Sequence, residues 1–491
     1  MGKIATADSG DWVEILKQQT GAPRATFGEE VILDNSIPHT DVNAEIAVPR
    51  LRRVLSLWDL ILYGIVAVTP SAPVTVFGLA LVMSKGHAID TILIAMVAMV
   101  LTAISYGRMA ALYPSAGSAY TYVGRGLNAH LGFLAGWAML LDYLFIPLFC
   151  VIYGTLSFQR VLPQVPYIVF AAFFAGIMTY LNLRGIRATA RTSEILVGAM
   201  GLVLLSFIAL AIRYMLFHQG WGSLFSFKPL YNPSTFKLHS IATATSFAAL
   251  TYLGFDSVTT LAEDVKNPRR NVLLATVLVC VFTGIFGGLL VYLAQLVWPD
   301  YQTFANVETA FVDVTRRVGG VTLFHAMAIL LVVANIGAGL TSQVGAARLL
   351  FGMGRDNVFP RKIFAYLDPK HNSPSINIWI IGLLAFFGSL VMSYELTAEI
   401  LNFGAFLGFI GVNLAAIRQF YIIKQAGRER HFFTDLVVPG LGFLFCLGIW
   451  LGLARPAKIA GGIWFVLGFI HLAVQTRGFR KTPVLINFSE S

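Results

Sequence analysis

The sequence predicts an all-α polytopic membrane protein, and three observations carry that prediction. Of its 491 residues, 57% are apolar and only 12% are charged, against roughly 45–50% and about 25% in soluble globular chains. Apolar runs long enough to cross a bilayer recur through most of the length. The mean hydropathy is +0.73. A water-soluble chain this long would divide into domains whose surfaces need far more charge. Barrel strands alternate apolar and polar residues over about ten positions, whereas these runs are apolar on every face, so a barrel is excluded.

A hydrocarbon core of about 30 Å takes about 20 apolar residues per helix. That ruler predicts about 12 transmembrane helices, at 55–83, 89–112, 128–157, 166–183, 193–217, 239–262, 272–298, 320–347, 375–394, 397–422, 433–453 and 459–476. They form a transporter-sized domain, 51–478, between a polar tail at 1–50 and a short tail at 479–491. The first tail has mixed charge and no basic start followed by an apolar stretch, so no cleavable leader is expected. Most of the 35 Lys and Arg fall on the side of the N-terminal tail, including Arg108, Arg125, Arg184, Arg187, Lys266, Arg269, Arg355, Lys370, Arg418, Lys424 and Arg428. By the positive-inside rule both termini are cytoplasmic, which requires an even number of spans.

The net charge of +10 punctuates apolar runs rather than gathering on one polar face, so it reads as loop charge and no nucleic-acid partner is expected. Cys150, Cys280 and Cys446 each lie inside an apolar run with no nearby partner. They read as packing residues, without a disulfide framework or metal-ligand spacing, and no cofactor or metal is expected.

Two spans look broken. In the first, Gly64 to Pro73 places two prolines near the centre, each removing a backbone donor and disfavouring helix in the residue before it. In the sixth, Thr251-Tyr252-Leu253-Gly254-Phe255-Asp256-Ser257 puts a glycine, a carboxylate and hydroxyls within one apolar run. The first span opens one group of five and the sixth a second. Interruptions at corresponding positions of two halves point to a transporter site at an inverted-repeat interface, although kinks without a ligand are also common in membrane helices.

A carboxylate at the bilayer centre costs at least about 2.5–3.5 kcal/mol, which makes it a functional candidate. Asp142 lies near the middle of the third span and Asp256 at the sixth-span break. Two acids at similar depth hold a cation between them, or one binds while the other titrates. Glu263 and Asp264, beside Lys266, Arg269 and Arg270, are expected to form a solvated or gating ion-pair cluster at the cytoplasmic end. No nucleophile, metal cluster or phosphate loop marks an enzyme, and no ring-forming filter marks a channel.

Several strings carry a resemblance: Ala103 to Arg108, Tyr113-Pro114-Ser115-Ala116-Gly117-Ser118-Ala119-Tyr120-Thr121-Tyr122, Gly136-Trp137 with Leu141-Asp142-Tyr143, Gly254 to Asp264, and Met353 to Pro360. With them the chain resembles the amino acid-polyamine-organocation superfamily of secondary transporters from about Leu51 to the last span, and within it bacterial putrescine importers. The resemblance implies two inverted five-helix repeats plus two C-terminal helices, and proton-coupled uptake at the inner membrane by alternating access. It implies a substrate site between the broken spans, at Val68, Thr69, Pro70, Ser71, Ala72, Asp142, Tyr143, Tyr252, Gly254, Phe255 and Asp256. Asp256 would hold the substrate amine with Asp142 beside it, and Tyr120, Glu263, Asp264 and Arg269 would serve the cytoplasmic gate or coupling. The implied partners are a polyamine or amino acid, a proton and the lipid bilayer.

Two departures bear on substrate and coupling. Met200 aligns where some proton-coupled members carry a lysine. Thr69-Pro70-Ser71-Ala72-Pro73 replaces the Gly-x-Gly string of typical amino acid permeases, which weakens the backbone nest a substrate carboxylate needs. The sequence therefore favours a small organic cation such as putrescine, with a general amino acid permease as the alternative.

Overall fold

A computed structural model of the chain describes residues 55–114, 117–184, 190–355, 359–368, 373–423 and 429–483. The N-terminal tail, the end of the C-terminal tail, and Arg187, Lys370, Lys424 and Arg428 of the charge argument lie outside the described residues. Among those described, the regular structure is all helical, apart from one isolated parallel bridge between Leu55 and Val265.

In order, the helices are α1 (Leu57–Val68), α2 (Ala72–Met83), α3 (Ala88–Leu112), α4 (Ser118–Gly126), α5 (Ala129–Gln159), α6 (Tyr167–Leu183) and α7 (Ala190–Gln219). Then follow α8 (Leu238–Ala248), α9 (Pro268–Val297), α10 (Ala310–Arg355), α11 (Arg361–Phe364), α12 (Ser375–Val391), α13 (Tyr394–Ile417), α14 (Val438–Gly452) and α15 (Arg455–Gln475). Among the described residues, 8 helices are long and apolar enough to cross a membrane, and 9 spans result if α1 and α2 count as one bent pair. Helices α6 and α12 are apolar but shorter. The span expected at 239–262 is α8 followed by short 3₁₀ turns at Ala249–Tyr252 and Phe255–Asp264. The span expected at 320–347 is longer, because α10 starts at Ala310 and continues through a kink at Gly320 (φ 65°).

Local chemistry sets several boundaries. Ser56 caps α1, its hydroxyl accepting from the Asp59 amide while the Asp59 carboxylate accepts from the Ser56 amide at 2.8 Å, a reciprocal capping box. Asn128 accepts from the Leu131 amide at 2.8 Å to start α5, and Ser393 from the Leu396 amide at 3.1 Å to start α13.

Helix α9 packs most extensively on α3, and α5 on α10 and α13. Side chains such as Phe77, Tyr106, Tyr252 and Phe406 fill the interior completely. Leu202, Ile285, Val391, Ile459 and Val474 face outward from their helices. An outer surface this apolar suits lipid rather than water. The three cysteines are buried and free, in line with packing roles.

At one end of the bundle, Arg108 at the foot of α3 pairs with the fully buried Asp435 before α14 and donates to the Thr434 carbonyl. Its guanidinium also stacks 4.1 Å over the Phe420 ring. Arg418 donates to the carbonyls of Gly126 and Leu127 at 2.6 and 3.0 Å, satisfying the open end of α4. These contacts tie the α13–α14 connection to the feet of α3 and α4, a frame around the two broken spans.

Candidate functional site

The break between α1 and α2 falls at Thr69–Ser71, where the two helices bend by 46°. Proline explains the position. Pro70 and Pro73 cannot return the helical hydrogen bond to Val66 and Thr69. Those carbonyls are served otherwise, Val66 by the Thr69 hydroxyl at 3.5 Å and Thr69 by the Ala72 amide at 2.9 Å. Thr69 itself takes φ 65°, a conformation β-branched residues avoid and one that clusters at functional sites.

The second break follows α8. The chain tightens into the 3₁₀ turn Ala249–Tyr252, reverses at Gly254 with φ 101°, and restarts as Phe255–Asp264. Only glycine fits there, because a Cβ on Gly254 would also lie 2.8 Å from the Ala67 carbonyl oxygen. The two breaks therefore touch directly, backbone to backbone. Beyond them, the Leu55 amide donates to the Asp264 carbonyl at 3.0 Å and the Lys266 amide to the Leu55 carbonyl at 2.9 Å. This bridge ties the approach to α1 to the end of the 255–264 segment.

The Asp256 carboxylate sits at the start of that segment, beside its own amide and that of Ser257, where helix-end amides favour an anion. Asp142 of α5 is close enough for the two charges to interact, and Tyr143 feels both. Neither carboxylate belongs to an ion pair among the described residues. The Asp142 Oδ1 is buried without a hydrogen-bond partner, while Asp142 and Tyr143 as residues remain half-buried. Two carboxyls this close cannot both be ionised without a cation between them.

Other candidates fall elsewhere. Tyr252 is fully buried and donates its hydroxyl to the Ile92 carbonyl of α3 at 2.8 Å. Phe255 packs edge-on against Tyr106 at 5.5 Å and tilted against Phe409 at 5.2 Å. Both pack the interior around the second break. Val68 and Ser71 are buried, and Thr69, Pro70 and Ala72 are half-buried along the break. Tyr120 packs its ring against Gly136 of α5.

Glu263 and Asp264 lie about 14 Å further along the segment at 3₁₀ rise. The expected ion-pair cluster does not form: no ion pair joins either to Lys266, Arg269 or Arg270 among the described residues. Both acids are half-buried and Arg269 is exposed. The nearby chain uses backbone bonds instead, through Leu55.

Sequence reasoning passed over Tyr63, whose hydroxyl lies near Ser257 and Thr260 beside Asp256. It also passed over Tyr106, whose ring lies 5.8 Å from that of Tyr122; both buried tyrosines feel the Asp256 charge.

Residues 71–470 match the amino acid permease family. The chain is 31% identical over 435 residues to the low-affinity putrescine importer PlaP of Escherichia coli, covering 88% of this chain and 95% of that protein. It is 26% identical over 478 residues to the branched-chain amino acid permease BcaP of Bacillus subtilis, covering 88% and 94%. It is 27% identical over 477 residues to the methylthioribose transporter of the same species, covering 90% and 97%. A bundle of lipid-facing apolar helices around two broken spans, matched along four-fifths of its length to transporters, places this chain in the amino acid permease family of the amino acid-polyamine-organocation superfamily.

Proposed function

We propose that this permease imports a small organic cation, a polyamine such as putrescine, by proton coupling and alternating access. The observation that carries the reading is the Asp142–Asp256 pair, two interacting carboxylates without a cationic side chain, one of them holding a buried oxygen with no hydrogen-bond partner. A diamine places two ammonium groups about 6–7 Å apart and offsets both charges through charge-assisted hydrogen bonds. Half-buried Tyr143 adds an aromatic face for an alkylammonium. In the same reading Val68 to Ala72 and Gly254 supply backbone to the substrate. Counting the broken 238–264 segment and the two shorter helices as spans makes twelve, in two inverted five-helix repeats plus two. Both termini, with the tails 1–50 and 479–491, then lie in the cytoplasm of a bacterial inner membrane. Tyr120, Glu263, Asp264 and Arg269 belong to the cytoplasmic exit.

The other reading, a general amino acid permease, has support from the likeness to a branched-chain amino acid permease. The first break weighs against it, since its two prolines leave few free amides to cradle a carboxylate. Uptake of labelled putrescine and of labelled leucine and arginine, by a strain lacking its own transporters and expressing this chain, separates the two. Saturable putrescine uptake abolished by a protonophore is expected. Leucine uptake without putrescine uptake overturns the proposal.

A further inference from the structure

The connection between α7 and α8 combines two properties that a water-facing loop does not. Its backbone is pinned: after the 3₁₀ turn Trp221–Phe225, the Tyr292 hydroxyl of α9 bonds the carbonyls of Leu224 at 2.9 Å and Ser226 at 3.0 Å. Further along, the Thr235 hydroxyl lies 3.2 Å from Nε2 of His87, which is fully buried in the α2–α3 turn. Yet Trp221, Phe225 and Phe227 turn outward with 74%, 77% and 76% of their surface exposed. Leu224 and Leu230 take the inward positions. An aromatic cluster held outward by a fixed backbone is built for a surface that accepts it.

We propose that residues 220–237 form a collar seated in the bilayer interface, with Trp221, Phe225 and Phe227 at the headgroup–acyl boundary and lipid phosphates over the neighbouring lysines. Continuity argues for lipid: α7 ends in exposed Phe217 and α8 begins with exposed Leu238, so the apolar outer surface of the bundle runs on through the connection. Aromatic rings are favoured at that depth, where an apolar body and polar surroundings meet. Charge argues for phosphate. Lys228 and Lys237 are exposed on the same connection. The Lys237 ammonium also comes close enough to Lys85, in the α2–α3 turn, to hold that lysine below the usual ammonium range. Two like charges kept side by side suit a shared anion.

Trp221 reports on this without a new side chain. The difference in emission between the wild type and Trp221→Phe, in proteoliposomes of phosphatidylglycerol and phosphatidylethanolamine, isolates its signal. That signal is expected to fall with brominated acyl chains and to resist aqueous iodide. Spin labels at Phe225→Cys and Phe227→Cys provide a second reading, with Gln302→Cys on the exposed polar turn between α9 and α10 as the reference. Labels at 225 and 227 are expected to collide more with oxygen than with an aqueous nickel complex, in the reverse order to 302. Iodide quenching without bromine quenching, or labels that match 302, overturns the proposal. So does shielding from both quenchers with cross-linking between two copies at 225, which makes the occupant a second chain.

Discussion

Charge rather than shape decides what happens at Asp256. Asparagine has the same volume, so Asp256→Asn keeps the packing of the break and removes only the anion that the neighbouring amides hold and that the proposed reading gives to a substrate ammonium. Uptake is expected to disappear while the amount of protein in the membrane stays normal, a combination read by transport assays beside quantitative blotting. Asp142→Asn is expected to weaken putrescine by about 1.5–3 kcal/mol, roughly ten- to a hundred-fold, and a monoamine much less. Gly254 is the structural counterpart. An alanine there meets the Ala67 carbonyl and a φ of 101°, costing at least about 1–2 kcal/mol of backbone strain. Gly254→Ala should lower the midpoint of thermal unfolding in detergent. Both carboxylates were legible in the sequence because charge at mid-span is rare. Tyr63 was not, since a tyrosine in an apolar helix signals nothing until a partner segment brings Ser257 and Thr260 to its hydroxyl.

Among the elements, the two broken spans differ in how they are made. The first is imposed by Pro70 and Pro73, and so could be read directly from the chain; the helix stops at Val68 and restarts at Ala72. The second was legible from Gly254, Asp256 and the hydroxyls beside them, but the 3₁₀ turn that runs on through Asp264 was not, because residue spacing does not distinguish it from an α-helix. Replacing Pro70 and Pro73 together by alanine restores the amides the helix lacks. The α1–α2 bend should then relax and the apparent substrate constant rise, with expression unchanged; an unaltered constant would separate the bend from binding. Among the described residues Glu263 and Asp264 form no ion pair with Arg269. The Leu55 bridge uses backbone groups, which no charge pattern foretells.

For the molecule as a whole, α7 places a buried methionine, Met200, where the superfamily resemblance would put a lysine in some proton-coupled members. The proposed proton coupling therefore has no lysine at this position to carry it. Reconstituted protein should accumulate putrescine when the outside is more acidic than the inside, and a protonophore should abolish that accumulation. Composition and span length were enough to read the membrane class, because burying apolar helices in lipid leaves a coarse, repeated mark. That Asp142 and Asp256 come close enough to interact was not legible, since that depends on where α5 sits in the bundle.

The central claim is that two facing carboxylates select a small dication. It is tested most directly by equilibrium binding of labelled putrescine to the purified protein, with competition by diamines of increasing length, butylamine and leucine. The account predicts saturable binding displaced best by diamines near the length of putrescine, weakly by butylamine and hardly by leucine, with the diamine preference lost in Asp142→Asn. Displacement by leucine at lower concentration than by any diamine, unchanged in that variant, would contradict it.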